Sequence, residues 1–378
     1  MSVVAQAAEH ARSPAPGGRC VAHLDADAFY VSCELNRRPE LRGLPVIVAG
    51  SGPRAVVTTA SYEARRFGVG SAMPAARARR LCPDAVVLAP DFTHYREISG
   101  QMMGIVRGSV DNVEVVGLDE AYLDLSGLFS PRAAMRRIVA EIERQLGLTC
   151  SVGIGPNKLV AKVASDAEKP AGFCVLTREQ ACERFAASPP GLIPGIGPKT
   201  AAKLAAMGLG TLGGLARAPE QVLVERFGPN HGHDLLRRAR FEHDGQVSEE
   251  RKVVSESRER TFDYDVADAV ALREALARMA GELCESLARH DHHGRTIGIK
   301  VRLDDFSTAT RARTLPEPTC DAGVVTRVAL ALLEQYAPPR PVRLLGVRVA
   351  GLVARNGRVA TDGEGARPAG ADQLALPM

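Results

Sequence analysis

Eight cysteines are scattered along the chain, and no two form a C-x-x-C pair. That excludes a paired-cysteine metal or redox motif and predicts free, mostly buried thiols in a reducing compartment. No run is long and apolar enough to span a bilayer, so the expectation is no membrane. The opening "MSVVAQAAEHARSPAPGGR" lacks a continuous apolar core, which argues against a secretory signal and for a cytoplasmic protein. There is no large charge excess. The net formal charge of +4 permits a nucleic-acid partner without requiring one, so local clustering must decide. No internal repeat is visible, and a solenoid is not expected.

What remains is an ordinary globular composition, 45% apolar and 24% charged. With 378 residues the chain exceeds one ordinary core, and two to four domains are expected. Residues 1–19 read as a disordered lead. Residues 20–30 alternate as a strand, with Ala22, Leu24, Ala26 and Ala28 on one face and His23, Asp25 and Asp27 on the other. Residues 31–41 read as a helix. "LPVIVAG" and "AVVTTAS" read as strands, and "YEARRFG" and "PAARARRLCP" as short basic helices closed by Gly or Pro.

A helix over 93–109, strands at 112–117 and 120–126, a helix over 131–146, the strand "TCSVGIG" and the helix "NKLVAKVASDAEKP" follow. This order predicts an α+β layer with a ferredoxin-like core, into which 31–92 is inserted after the first strand. A Gly-, Pro- and Ala-rich helical domain is expected over 188–245 and a linker over 246–252. A second α+β module spans 253–355, in the order strand, helix, two strands, helix, strand. Residues 356–378 read as a flexible tail.

The segment "VGLDEAYLDLSG" places Asp119 beside Glu120 between apolar neighbours. Strands avoid such acidity, because like charges repel and burying a carboxylate is costly. Adjacent strand residues point to opposite faces, so the two acids share a site only at a strand start or turn, which Gly117 makes plausible. If "HLDAD" and "GLDEA" are sheet neighbours, Asp25, Asp119 and Glu120 converge. Three carboxylates in one place call for a hard cation, or else they are solvated edge residues. A pair of such ions suits phosphoryl transfer.

Five motifs occur in order: "HLDADAFYVSCE", "VVTTASYEARRFGV", "GLDEAYLDLSG", "GIGPNKLVAKVASDAEKPAG" and "IPGIGPKTAAKL". Together they resemble the Y-family translesion DNA polymerases, most closely their DinB or polymerase IV branch, over residues 20–355. The resemblance implies a multidomain right hand: a palm over 20–30 and 93–187, small fingers over 31–92, a helix–hairpin–helix thumb over 188–245 and a little finger over 253–355. It implies two Mg²⁺ ions, with Mn²⁺ as a substitute, held by Asp25, the carbonyl of Ala26, Asp119 and Glu120. Tyr30 falls where the family keeps an aromatic steric gate against the sugar. Thr59, Tyr62, Arg65 and Lys169 match the contacts to the incoming deoxynucleoside triphosphate. Asp27 and Asp124 are read as structural acids. The sequence departs from the family at Gly117, where a Ser is usual, so a hydroxyl near the paired acids is missing.

"PGIGPKTAAKL" looks like a helix–hairpin–helix turn, in which Gly195 and Gly197 let backbone approach a phosphate and Lys199 adds charge. In the last module Arg258 and Arg260, Lys300 and Arg302, and Arg311 and Arg313 are i, i+2 pairs, which predicts a sheet with one basic face along primer-template DNA. The ending "QLALPM" resembles a sliding-clamp peptide through Gln373, Leu374 and Leu376. The expected activity is low-fidelity, template-directed DNA synthesis across damage by a monomer. Two alternatives stay open: a nucleotidyl cyclase-like signalling enzyme on a similar layer, and a DNA-binding accessory protein with a dead site.

Overall fold

The structure is a computed structural model, and it describes residues 18–250 and 252–354. The elements open with β1 (Val21–Ala26), α1 (Phe29–Arg37), β2 (Val46–Ala49), β3 (Val57–Ala60), α2 (Tyr62–Arg65), α3 (Ala75–Leu81), β4 (Val86–Leu88) and α4 (Phe92–Arg107). Next come β5 (Val113–Val115), β6 (Glu120–Asp124), α5 (Pro131–Leu146), β7 (Cys150–Gly155), α6 (Lys158–Ala167), β8 (Phe173–Val175) and α7 (Arg178–Arg184). Four short helices follow, α8 (Pro198–Ala206), α9 (Leu212–Ala216), α10 (Glu220–Phe227) and α11 (Pro229–Ala239). The chain closes with β9 (Ser255–Val266), α12 (Ala269–Arg289), β10 (His292–Leu303), β11 (Thr308–Thr319), α13 (Ala322–Tyr336) and β12 (Val342–Ala354).

Two compact units divide the chain: residues up to Arg42 together with Thr93–Glu249, and Gly43–Phe92 together with residues from Glu250 on. In the first, a five-stranded sheet runs β5-β6-β1-β7-β8. β1 lies at its centre, antiparallel to both β6 and β7, and all six of its residues are buried. α5 is framed by Pro131 at its first turn and by Gly147 in the left-handed region at its end. A second core joins Leu159, Val160 and Val163 of α6 to apolar residues of α7 through α11, so the helical segment packs on the helix that follows β7.

The first strand is shorter than the sequence pattern predicts. β1 ends at Ala26, and Ala28 adopts a left-handed conformation (φ 45°) as the residue that opens α1. Ala28 therefore leaves the strand face, and Tyr30 stands in the first turn of a helix. The three-residue strands β4 and β8 and the short helix α7 were not evident from periodicity.

The second unit holds two sheets. The smaller runs β3-β2-β4 and carries its own core, including Ile47, Val57, Ala64 and Ala78. The larger runs β11-β10-β12-β9, with α12 and α13 packed against one face through Leu276, Leu283, Ile297, Ile299, Val347 and Leu332. Its order of strand, helix, two strands, helix, strand is the one the sequence predicts. Gln373, Leu374 and Leu376 lie outside the described residues.

Candidate active site

β1 and β6 place the acids. Their register sets Asp25 opposite Glu120 and His23 opposite Tyr122, so these side chains share one face of the sheet. Asp119 lies in the turn just before β6, and its carbonyl accepts the N–H of Ala26 at 2.8 Å. The turn lets two consecutive acids reach one site, which a regular strand would forbid. At Gly117 a Cβ would stand 3.3 Å from Asp119 Oδ1, so the departure from Ser leaves room beside that carboxylate.

α6 covers the same face. Gly153 of β7 lies opposite His23, and a Cβ there would fall 2.0 Å from the Ala161 carbonyl oxygen and 2.3 Å from Ser165 N. Helix and strand thus meet main chain to main chain, an approach that only glycine permits. This brings Lys162 over the acids: its ammonium lies 3.1 Å from Asp25 Oδ2 and 2.8 Å from Glu120 Oε2. Lys169 reaches Asp25 Oδ1 at 2.7 Å and Asp166 at 2.9 Å. His23 is fully buried, with Nε2 3.2 Å from Glu120 Oε2 and Nδ1 2.8 Å from Ser165 Oγ.

These neighbours drive the two adjacent acids apart. Burial, then the charges of Asp25 and Glu120, push Asp119 up to about 7. Burial also works against ionised Glu120, but the hydrogen bond from His23 and the Lys162 ammonium outweigh it and hold Glu120 near 2. Burial lowers His23. The charges of Glu120 and Asp25 outweigh burial at Lys162 and raise it.

Tyr30 packs its ring 4.8 Å from that of Tyr95 and 5.4 Å from that of Phe29. Burial and the nearby Asp119 push its phenol up to about 12. Asp27 supports the site from behind. It accepts from Ser151 Oγ and from Ala171 N, both at 2.8 Å, and so fastens the end of β1 to the loop that carries Lys169. Asp124 accepts from Ser126 N and Oγ, a local turn contact.

The remaining predicted contacts fall elsewhere. In the second unit, Thr59 is buried on β3, and the Arg65 guanidinium stacks 4.5 Å from the Tyr62 ring centre, so the two share a helix face as their spacing predicts. In the first unit, Gly195 turns the chain with φ 87°, and Gly197 precedes α8, which carries Lys199 exposed in its first turn.

The last sheet corrects the expectation of one basic face. Arg258 and Arg260 register with the buried Val347 and Leu345, and Arg311 and Arg313 with Ile299 and Ile297. Those four arginines therefore point to the helix-covered side, where Arg311 stacks 5.0 Å from the Tyr336 ring centre. Lys300 and Arg302 take the open side, joined by Arg348, which lies opposite Gly298. Glu259 also lies there and bonds Lys300 at 2.9 Å. An i, i+2 spacing shows that two residues share a side, but not which side the helices cover.

Sequence reasoning placed His23 on the acids' face without assigning it a task, and it missed Lys162 and Arg348. His23 was within reach, two residues before Asp25 on an alternating strand. Lys162 becomes visible only once α6 is docked against Gly153.

A ferredoxin-like layer with acids on adjacent central strands, a helical domain behind it and a separate β-rich module is the architecture of a right-hand nucleic-acid polymerase. The model of the impB/mucB/samB family matches residues 24–166, and that of its C-terminal domain matches residues 253–362. The DNA polymerase IV of Methanoculleus marisnigri is 42% identical over 341 residues, covering 88% of this chain and 94% of the relative. That of Streptomyces coelicolor is 42% identical over 340 residues, covering 88% and 71%. That of Listeria monocytogenes is 39% identical, covering 88% and 95%. A solved Y-family DNA polymerase chimera superposes with a TM-score of 0.78 at 25% identity, over 89% of this chain and all of its own. The chain belongs to the impB/mucB/samB family, the Y-family DNA polymerases, within the DinB or DNA polymerase IV branch.

Proposed function

We propose that the protein is a template-directed DNA polymerase that extends a primer across damaged template. The observation that carries this reading is the pairing of Asp25 with Glu120 across two central strands, with Asp119 beside them. The donor set fits a hard divalent cation. It offers carboxylate oxygens, and burial, then the charges of Asp25 and Glu120, push Asp119 up to about 7, a penalty that a cation there would offset. Asp25, Asp119, Glu120 and the Ala26 carbonyl would hold two Mg²⁺ ions, or Mn²⁺ in their place. When bound, such ions supply Lewis acidity at the attacking and leaving oxygens.

The chain's own groups do the positioning. His23 orients Glu120 and keeps it ionised. Lys162 and Lys169 balance Asp25, and Lys169 borders the place where a triphosphate would lie. Arg65, stiffened by its stack on Tyr62, presents a planar fork suited to phosphate oxygens, with Thr59 on the neighbouring strand. Tyr30, wedged against Tyr95, presents a ring that excludes a 2′-hydroxyl. The primer 3′-hydroxyl displaces pyrophosphate from the α-phosphate, and the transferred nucleotide is chosen by the template.

The turn at Gly195 and Gly197 with Lys199, and the open sheet side with Lys300, Arg302 and Arg348, would grip duplex backbone. Gln373, Leu374 and Leu376 would dock on a sliding clamp. Primer extension with four deoxynucleotides on plain and lesion-bearing templates tests the reading. Extension should be divalent-dependent, and Asp119→Ala should lower it on the order of a thousandfold, several kcal/mol of transition-state stabilisation. Undiminished extension by that variant would refute it.

A further inference from the structure

A second cluster of ligating groups lies in the other unit and takes no part in the chemistry above. Glu256 stands near the start of β9, His290 closes α12, and His292 opens β10. β9 and β10 are not neighbours in the sheet, since β12 runs between them. Asp291 adopts a left-handed conformation (φ 54°) between the two histidines. That single turn sends both imidazoles toward the same carboxylate, with ring centres 5.7 Å apart.

The donor atoms are already spaced for a metal. His292 Nδ1 lies 3.2 Å and His290 Nδ1 3.7 Å from Glu256 Oε1. All three donors fall within 4.8 Å of one another. A tetrahedral ion with bonds of about 2.0–2.1 Å separates its ligands by roughly 3.3–3.4 Å, between the two observed distances. Glu256 is 7% exposed and His292 4%, so a carboxylate and an imidazole are both withdrawn from water. The second nitrogen of His292, Nε2, is buried without a hydrogen-bond partner. That nitrogen projects away from Glu256, so a metal held by Nδ1 leaves it unchanged. His290 is more than a third exposed, which leaves an entry path and an open fourth position.

We propose that Glu256, His290 and His292 form a site for a divalent transition metal of the zinc class, which staples β9 to the α12–β10 junction. Two imidazoles and one carboxylate select such ions over Mg²⁺ and Ca²⁺, which prefer oxygen-only shells. The site is independent of the catalytic acids.

The test uses the full chain in excess Mg²⁺, with Zn²⁺ followed by equilibrium dialysis and metal analysis, and Co²⁺ followed by visible absorption. One equivalent of Zn²⁺ is expected, with a rise in melting temperature and an intense visible Co²⁺ band from tetrahedral coordination. His290→Ala changes a helix-end residue and should fold normally, yet lose about 100-fold or more in affinity. His292→Asn should do the same, while Asp119→Asn should leave binding intact. Absence of Zn²⁺ binding by the unaltered chain, equal binding by His290→Ala, or loss of binding in Asp119→Asn would each overturn the site.

Discussion

Asp119 and Glu120 are neighbours in sequence with opposite electrostatic fates, and the difference comes from what faces each. Glu120 has His23 and Lys162; Asp119 has Asp25, Glu120 and burial. The sign of the pH dependence follows. A carboxyl raised to about 7 favours the fold below its unfolded value of 3.8 and loses that contribution as pH rises through 7. Glu120, held near 2, behaves oppositely: its contribution is full above 4.5 and is lost as pH falls toward 2. In EDTA, Asp119→Asn should therefore stabilise the protein by about 2 kcal/mol at pH 8, after allowance for solvent screening, and by little at pH 5. Denaturant titrations at the two pH values measure the gap, and an equal effect at both would contradict the assignment. Tyr30 makes the second residue-scale prediction. Tyr30→Ala should relax discrimination against ribonucleotides by on the order of 100-fold, with deoxynucleotide insertion less affected, as read by single-turnover kinetics with each sugar.

At the scale of elements, the site depends on how closely α6 approaches β7. Gly153→Ala would drive a methyl into the Ala161 carbonyl and the Ser165 amide, so helix and strand must separate. The expected cost is about 3 kcal/mol or more, with a melting point lower by roughly 10 °C. Activity should fall further than stability alone explains, because Lys162 and the Ser165 partner of His23 ride on the displaced helix. The same element shows what the sequence could and could not disclose. The bounds of α5 were readable because its periodicity is long and Pro131 and Gly147 mark its ends. The strands β4 and β8 span three residues each, too few for alternation to register. The acids were legible because carboxylates crowded between apolar residues need a reason, and the ordered motifs supplied the family. Lys162 was not, because its meeting with Asp25 and Glu120 is a product of tertiary packing across 137 and 42 residues. The four arginines of β9 and β11 were assigned to a shared basic face because strand parity carries no information about which side α12 and α13 cover.

At the scale of the molecule, the net charge is only +4, so affinity for duplex depends on where the cations stand. The open side of the last sheet carries Lys300, Arg302 and Arg348, with Glu259 bonding the first of them. Replacing all three cations by Glu should weaken duplex binding at low salt and flatten its salt dependence. Each lost phosphate contact lowers the slope of log K against log salt by about 0.9. The matching change at Arg311 and Arg313 should alter that slope less. Fluorescence anisotropy over a salt series separates the two sets, and equal slopes would return Arg311 and Arg313 to the interface.

The contact between β7 and α6 also bears on how this catalyst can diverge. At residue 153 the obstacle is volume, and no choice of lesion, template or host alters it. Every other amino acid would meet the same main-chain atoms there. A lineage could exchange its preference for one kind of damage for another and still carry that hydrogen atom unchanged.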